Sequence, residues 1–246
     1  MAPVSVSAGR VAATPYAWPH DRPIEAARTA LIVIDMQRDF CLADGYFATA
    51  GGDIDPVGSL TPRIAALLAA ARSSGLLVAH TREGHRPDLS DAPEFKLWRS
   101  ENAGARIGSE GPLGRRLVRG EPGWEIVEAL TPQAGEPVID KPGYSAFHAT
   151  DLDALLRLRG IAKLILCGVT TDVCVHSTLR SAVDLGFECL LVEDACAAAD
   201  PALHAACLRI VHGEGGIFGA TASTAAILTA LEQAEGEAPA RKAAHV

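Results

Sequence analysis

The stretch Lys163-Leu-Ile-Leu-Cys-Gly-Val-Thr-Thr-Asp-Val-Cys174 changes character along its length. Its beginning, Lys163–Cys167, is mostly apolar, which predicts a strand that is covered on both faces. A helical pattern follows over Asp172–Leu185 and stops at Gly186, and Glu188–Val192 predicts the next strand. Strand, helix and strand in this order predict two parallel strands joined by a right-handed crossover.

The same alternation continues on both sides of this stretch. Further strands are predicted at Thr29–Asp35, Leu76–His80 and Pro137–Asp140, and further helices at 59–75, 124–130, 152–158, 201–212 and 222–231. The pattern predicts one open doubly wound α/β domain over residues 29–233, with a mostly parallel sheet and helices on both faces. Residues 1–28 are predicted to be an irregular lead-in, and residues 234–246 a flexible tail.

A long polar segment from Thr81 to about Gly123 interrupts the alternation. Segments of this length without a secondary-structure pattern are usually functional or disordered. Trp98 and Trp124 favour the functional interpretation, because large aromatic side chains predict packing against the domain.

Composition limits the class of protein. The 246 residues are 48% hydrophobic, which excludes a disordered chain, and a net charge of −8 disfavours binding to nucleic acid. No apolar run reaches the ~18 residues needed to span a bilayer. Met1–Pro23 has no apolar core typical of a secretory signal. We therefore expect a soluble cytoplasmic protein with no nucleic-acid or membrane partner, whose six cysteines are free thiols.

Three predicted strands bring polar residues to one edge of the sheet. Asp35 ends the first strand, Lys141 follows Asp140, and the opening stretch ends in Cys174. Ligands of such sheets bind beyond the carboxyl ends of the strands. A carboxylate, an ammonium and a thiol at that edge suit nucleophilic catalysis, since a nearby cation and a helix N-terminus both favour the thiolate. Each residue taken singly also suits a structural role, and a cysteine between valines is more often a small core residue.

Three segments resemble the signatures of the isochorismatase-like cysteine hydrolases. They are Ile34–Phe40, then Asp140-Lys-Pro142 with Ser145-Ala-Phe147, then Gly168–Val175, and the similarity covers about residues 27–232. The resemblance implies a catalytic triad of Asp35, Lys141 and Cys174. It also implies a cis peptide bond between Val169 and Thr170, with the amides of Thr170 and Cys174 forming an oxyanion hole.

The resemblance implies acyl transfer without a cofactor. Cys174 attacks a carbonyl carbon, Asp35 protonates the departing amine and then deprotonates a water, and Lys141 keeps both partners charged. The related nicotinamidases carry an Asp-x-His metal pair, but the corresponding stretch here, Gly52–Pro56, lacks the histidine. His80, Glu83 and His85 lack a further ligand at a convincing spacing, so we expect no metal.

Within the family, the chain is most similar to the biuret hydrolases. The segments that carry this similarity are His80–Leu89, Trp98–Ser100, Arg119–Trp124 and Gly215–Gly219. Phe40 is expected to wall one face of a small ureide pocket. Tyr144 and Glu214 stand where that group has Lys and Gln, and the substitutions suit the extra carbamoyl group of triuret. We therefore expect triuret hydrolysis first and biuret hydrolysis second, with neutral variation at the pocket rim as the alternative explanation.

Other functions remain open at this stage. Ureidoacrylate is a second ureide candidate, and its carboxylate needs a pocket cation such as Arg82, Arg86 or Arg38. A silent binding module on the same fold is the alternative outside enzymology, and a redox protein is disfavoured because no second cysteine stands at resolving distance. The family resemblance implies a homo-oligomer, either a dimer or a tetramer.

Overall fold

A six-stranded parallel sheet forms the centre of the molecule. The computed structural model describes the backbone of residues 9–243 and the side chains of residues 9–234. The strands among the described residues are β1 (Thr29–Ile34), β2 (Leu77–Glu83), β3 (Glu110–Gly111), β4 (Gly114–Arg115), β5 (Val138–Lys141), β6 (Lys163–Val169), β7 (Glu188–Ala197) and β8 (Ala220–Ala222). All but β3 and β4 belong to the central sheet. The sheet has the order β5-β2-β1-β6-β7-β8, with every neighbouring pair parallel. The predicted doubly wound α/β fold is confirmed.

Helices cover the sheet and complete one hydrophobic core. They are α1 (Arg38–Cys41), α2 (Tyr46–Thr49), α3 (Asp55–Gly58), α4 (Leu60–Ser73), α5 (Glu94–Asn102), α6 (Leu152–Leu158), α7 (His176–Asp184), α8 (Pro201–Gly216) and α9 (Thr224–Ala243). All residues of β1 are buried, as its apolar run predicts. Helix α4 buries Leu60, Ile64, Leu67, Leu68 and Ala71, which recur at helical spacing along the face that contacts the sheet.

Several elements differ from the predictions. Strand β7 continues past Val192 to Ala197, and the helices α1, α2, α3 and α5 were not predicted. The helix predicted at 124–130 is wrong, because Ile126 pairs with Gln37 in a β-bridge and leaves only short 3₁₀ turns on either side. Strand β8 begins at Ala220, ahead of the last helix. Strand β2 continues past His80 to Glu83, because its backbone pairs with β5 as far as Lys141.

The long polar segment is largely structured. It contains the end of β2, helix α5 and the β3–β4 hairpin. Trp124 is buried, as predicted, but Trp98 is 56% exposed and stacks on the exposed ring of Phe95. Helix α5 therefore presents an aromatic pair outward and buries Lys96 on its other side.

The chain ends were also predicted, and the structure describes part of them. Within residues 9–28, Val11 and Trp18 are buried and pair with each other, and Thr14 pairs with Thr221 of β8. The backbone of α9 continues past Leu231 to Ala243. The side chains of residues 235–246 lie outside the described residues, so the flexible tail and the domain boundaries stay predictions. No described helix has the length and apolarity to cross a membrane.

Candidate active site

The carboxyl ends of β1, β5 and β6 bring the three predicted catalytic residues together. Asp35 follows β1, Lys141 ends β5, and the turn after β6 carries Cys174. The ammonium of Lys141 lies 2.7 Å from Asp35 Oδ2. Cys174 Sγ and carboxylate oxygens of Asp35 and Glu83 all lie within 4.8 Å of one another.

Asp35 is fully buried and held on several sides. Its φ of 52° is left-handed, a region that Asp tolerates better than most residues. The hydroxyl of Thr81 donates to Oδ1 at 2.5 Å, and the Asp35 amide donates to the Thr81 carbonyl at 3.2 Å. Burial raises the pKa of the Asp35 carboxyl, and the Lys141 ammonium opposes this shift without cancelling it.

Lys141 is a buried cation between two carboxylates. Its ammonium lies 2.7 Å from Asp35 and 3.5 Å from Glu83, and it donates to the carbonyl of Gly143 at 3.0 Å. Burial lowers the pKa of Lys141, but the anionic groups around it outweigh burial and raise it overall. Lys141 therefore stays charged, and its two acidic neighbours offset the cost of burying that charge.

Cys174 lies in a tight turn between β6 and α7. The turn, Thr171–Val175, is π-helical, and the peptide bond between Val169 and Thr170 is cis, as the family resemblance implies. Burial raises the pKa of the Cys174 thiol well above its usual value; Lys141 opposes the shift, and the carboxylates of Glu83 and Asp35 add to it. Burial, chiefly, and the Glu83 carboxylate therefore oppose the thiolate that Lys141 was expected to favour.

Glu83 is a site residue that the sequence analysis considered only as a metal ligand. Its buried carboxylate accepts a hydrogen bond from Cys174 Sγ at 3.1 Å. This contact was missed because the predicted strand ended at His80. Extending β2 to Glu83 places Thr81 and Glu83 on the same face, since side chains alternate along a strand. That alternation was the signal in the sequence that could have found it.

Helix α5 contributes two cations that the sequence analysis left unassigned. The Lys96 ammonium lies 2.7 Å from Glu83 Oε1 and donates to the carbonyl of Pro142 at 2.8 Å. Arg99 lies one turn further on and borders the same cavity as Cys174. Positions i and i+3 share a helix face, so a predicted helix here would have grouped the two residues.

The cavity above Cys174 has a volume of about 560 Å³, which suits a small molecule. Its polar lining consists of Glu83, Arg99, Tyr144, Thr170 and Cys174, and its apolar and small residues are Phe40, Tyr46, Phe47, Ala50, Gly51, Gly52, Ala103, Leu117, Val173 and Ala199. Phe40 and Tyr144, both predicted for substrate binding, border this cavity. Thr170 borders the cavity together with Cys174, and its part in an oxyanion hole stays a prediction.

Arg82 does not border this cavity, contrary to its predicted role. It precedes Glu83 on β2, so its side chain points to the other face of the sheet. There it pairs with Asp140 at 2.9 Å and Glu125 at 3.1 Å and stacks on Trp124. Arg38 borders the same separate surface pocket as Arg82, and Arg86 is exposed.

Glu214 also lies outside the cavity that this chain forms. It is exposed, with a φ of 51°, where Gly213, Glu214 and Gly215 interrupt α8. The predicted helix 201–212 ends at this interruption, because Gly213 has an extended backbone. The suggested contact between Glu214 and a substrate therefore gains no support from the position of the side chain.

Three side chains of the site are also candidate metal ligands. Asp35, Glu83 and Cys174 are close enough together to share an ion. The ammonium of Lys141 contacts both carboxylates and already supplies a positive charge between them. His80 and His85, considered as ligands from the sequence, pair instead with Glu136 and Asp91. The absence of a metal or cofactor requirement stays a prediction.

Comparison with known proteins agrees with this geometry. Residues 29–226 match the isochorismatase domain family. The chain belongs to the isochorismatase family, and it is a hydrolase of the kind that acts on amide C–N bonds, as its amidohydrolase relatives are.

Three similar proteins define the relationship more closely. The ureidoacrylate amidohydrolase RutB of Methylorubrum extorquens is 36% identical over 228 residues, covering 91% of each chain. A cysteine hydrolase from Pseudomonas syringae pv. phaseolicola has a TM-score of 0.73 and 30% identity, covering 87% of this chain and 96% of the other. N-carbamoylsarcosine amidase from Thermoplasma acidophilum has a TM-score of 0.61 and 27% identity, covering 80% and 96%.

Proposed function

We propose that this protein hydrolyses a C–N bond of a small linear ureide through a covalent bond to Cys174. One observation carries the proposal. The sulfur borders the cavity within 4.8 Å of two buried carboxylates, with the Lys141 ammonium between them. Nucleophile, proton carriers and a fixed cation are the groups that acyl transfer requires.

The reaction has two halves. The Cys174 thiolate attacks the carbonyl carbon, the C–S bond forms, and the C–N bond breaks as Asp35 gives a proton to the leaving nitrogen. Asp35 suits this role because burial raises its pKa. Water then attacks the thiocarbamate, Asp35 takes back a proton, and the sulfur leaves. The amides of Thr170 and Cys174 stabilise the oxyanion in both halves.

Triuret is the substrate that we propose, and biuret is the shorter alternative. Triuret is planar, neutral and rich in both donors and acceptors. The aromatic ring of Phe40 and the neutral hydroxyl of Tyr144 border the cavity, and its volume leaves room for a third carbamoyl group. Attack on a terminal carbonyl releases ammonia and yields biuret carrying an N-carboxylate. The expected homo-oligomer and cytoplasmic location remain part of this proposal.

A ureido acid such as ureidoacrylate is the second candidate, and Arg99 favours it. The guanidinium borders the cavity, and its Nε is buried without a hydrogen-bond partner among the described residues. Its neighbours there include the hydroxyls of Tyr144 and Tyr46. Such a cation suits a substrate carboxylate or a strongly polarised carbonyl oxygen. The similarity to the ureidoacrylate amidohydrolase RutB points to the same substrate class.

Steady-state kinetics on triuret, biuret and ureidoacrylate test the proposal. We expect the highest kcat/KM with triuret, and a preference for ureidoacrylate establishes the second candidate instead. Cys174→Ser is expected to abolish ammonia release from every substrate, while Cys207→Ser, a buried thiol on α8, retains it. Ammonia release by Cys174→Ser at the wild-type rate refutes the covalent mechanism.

A further inference from the structure

We propose that Glu83 is a fourth catalytic residue, which takes the thiol proton of Cys174 and later returns it, and that Lys96 is its positioning residue. The inference rests on the proposed function, because it assigns a step of that reaction. Its main observation is the contact of 3.1 Å between Cys174 Sγ and Glu83 Oε2. Asp35 is bound by Thr81 and Lys141, which leaves Glu83 as the carboxylate in hydrogen-bond contact with the sulfur.

The surroundings hold Glu83 in one position. The side chain of Gln37 accepts a hydrogen bond from the Glu83 amide at 2.7 Å and donates to its carbonyl at 2.9 Å. The Lys96 ammonium binds the carboxylate oxygen that does not face Cys174, at 2.7 Å. One oxygen is thereby fixed by a buried cation, and the other remains directed at the thiol. Because its two oxygens have different partners, the Glu83 carboxylate is oriented toward the thiol and does more than neutralise a lysine.

The charges around Glu83 and Cys174 set their resting protonation. Burial raises the pKa of Glu83, but the ammoniums of Lys141 and Lys96 outweigh it and lower the pKa to about 2. The pKa of Cys174 is raised well above its usual value, chiefly by burial. Glu83 is therefore ionised and Cys174 protonated at rest. The charged and titratable groups that face this pair from neighbouring elements are Asp35, Tyr46, His85, Lys96 and Lys141.

In the proposed proton path, every protein group returns to its starting protonation state after one turnover. In the first half the S–H bond of Cys174 breaks, its proton forms an O–H bond on Glu83, and the sulfur electron pair forms the C–S bond. Asp35 enters the cycle protonated, since burial raises its pKa, and separately gives this proton to the leaving nitrogen. In the second half Asp35 takes a proton from water, and Glu83 returns its proton to the departing sulfur. Both carboxylates regain their initial state, and the net reaction consumes one water.

Alkylation of Cys174 by iodoacetamide tests the contact between Glu83 and the thiol without any substrate. In the wild type, burial and the Glu83 carboxylate both raise the thiol pKa, so the alkylation rate is expected to be low at neutral pH and to rise about tenfold per pH unit below that pKa. In Glu83→Gln the negative charge beside the sulfur is lost, so the thiol pKa falls and the same rise is expected at lower pH. Mass spectrometry of the peptide that contains Cys174 follows the reaction.

The same variants are then assayed for ammonia release. We expect Glu83→Gln to lose at least about 100-fold in kcat although its thiol is alkylated at lower pH, because no carboxylate then takes and returns the thiol proton. A kcat in Glu83→Gln equal to that of the wild type overturns the assignment, and so do coincident alkylation profiles. If no ureide is hydrolysed but Glu83→Gln shifts the alkylation profile to lower pH, the proposed function fails and the contact between Glu83 and Cys174 stands.

Lys96→Met is the second variant, and it keeps the test decisive if Glu83→Gln does not fold. Removing the ammonium raises the pKa of Glu83, so the acidic edge of kcat/KM is expected to move upward by at least about one pH unit. Lys96→Arg keeps a cation at this position and is expected to return the acidic edge most of the way to its wild-type pH. A purely structural role for Lys96 predicts a lower melting temperature with an unmoved acidic edge, and that result refutes its positioning role.

Discussion

Gly168 packs so tightly against Ile34 that a Cβ at position 168 would meet the Ile34 carbonyl oxygen at 2.1 Å. The glycine has a φ of 116°, a conformation that disfavours any other residue. It stands near the end of β6, paired with the last residue of β1. This close approach brings the turn of Cys174 beside Asp35, so the spacing of nucleophile and carboxylate depends on a missing side chain.

Gly168→Ala is therefore expected to be severely destabilising. The backbone clash and the positive φ together are expected to lower the free energy of unfolding by about 3 kcal/mol or more. Gly160→Ala is the matched control, because Gly160 has a φ of 69° but open space around its Cα. Gly160→Ala is expected to lower the free energy of unfolding by about 1–2 kcal/mol. Chemical denaturation measures both variants, and equal losses contradict the role assigned to the contact.

Lys141→Met is expected to abolish activity and destabilise the fold. The two buried carboxylates lose their shared cation, and breaking such a contact costs about 3–5 kcal/mol. A double-mutant cycle with Asp35→Asn measures the coupling. We expect the double variant to be more stable than the sum of the single losses predicts, because neither buried group is then left without the other. Additive losses would show that the two side chains do not stabilise each other.

Arg99→Met and Arg82→Met form a matched pair on opposite sides of the cavity wall. Arg99→Met is expected to raise KM by about tenfold or more for the preferred ureide, because a cavity cation is lost. Arg82→Met is expected to leave kcat/KM unchanged and to cost about 1–2 kcal/mol of stability, through its ion pairs and its stacking on Trp124. The opposite outcome would return Arg82 to the substrate site.

Stability is expected to fall as the pH drops below about 6.5. Burial lowers the pKa of four histidines below the unfolded value, so unfolding takes up protons and acid favours the unfolded chain; these are His80, His85, His176 and His204. Each contributes up to about 1.4 kcal/mol per pH unit between its two pKa values. Urea titrations from pH 7 to about pH 5 measure the slope. His80→Gln should reduce it, and an unchanged slope excludes His80 as a contributor.

The parts of the site that the sequence predicted are those attached to apolar strands. Asp35, Lys141 and Cys174 each follow a buried run, and the carboxyl ends of parallel strands meet at one edge. The site residues at the end of β2 were not predicted, because the end of this strand is polar. Thr81, Arg82 and Glu83 read as the start of a loop, so their alternation across β2 was not used. The prediction that Arg82, and not Glu83, contacts the substrate therefore selected the wrong face of the sheet.

Helix α5 was hidden for a different reason. It spans only Glu94–Asn102 and is stabilised by tertiary contacts such as the Lys96–Glu83 ion pair, which local sequence cannot reveal. The exposed stack of Phe95 and Trp98 is equally unpredictable, since large aromatic residues usually indicate burial. Of the predicted substrate residues, Phe40 and Tyr144 border the cavity. Glu214 was assigned from the resemblance to the biuret hydrolases, which does not reveal the interruption in α8.

The placement of Lys96 and Arg99 on one short helix constrains how this enzyme can be redesigned. Arg99 borders the space available to the substrate, while Lys96 fixes the carboxylate beside the nucleophile. A change that shifts α5 to admit a longer or differently charged molecule also moves the ammonium away from Glu83. With the roles proposed above, selectivity and turnover are expected to be linked, and variants of α5 alone should gain one at the expense of the other.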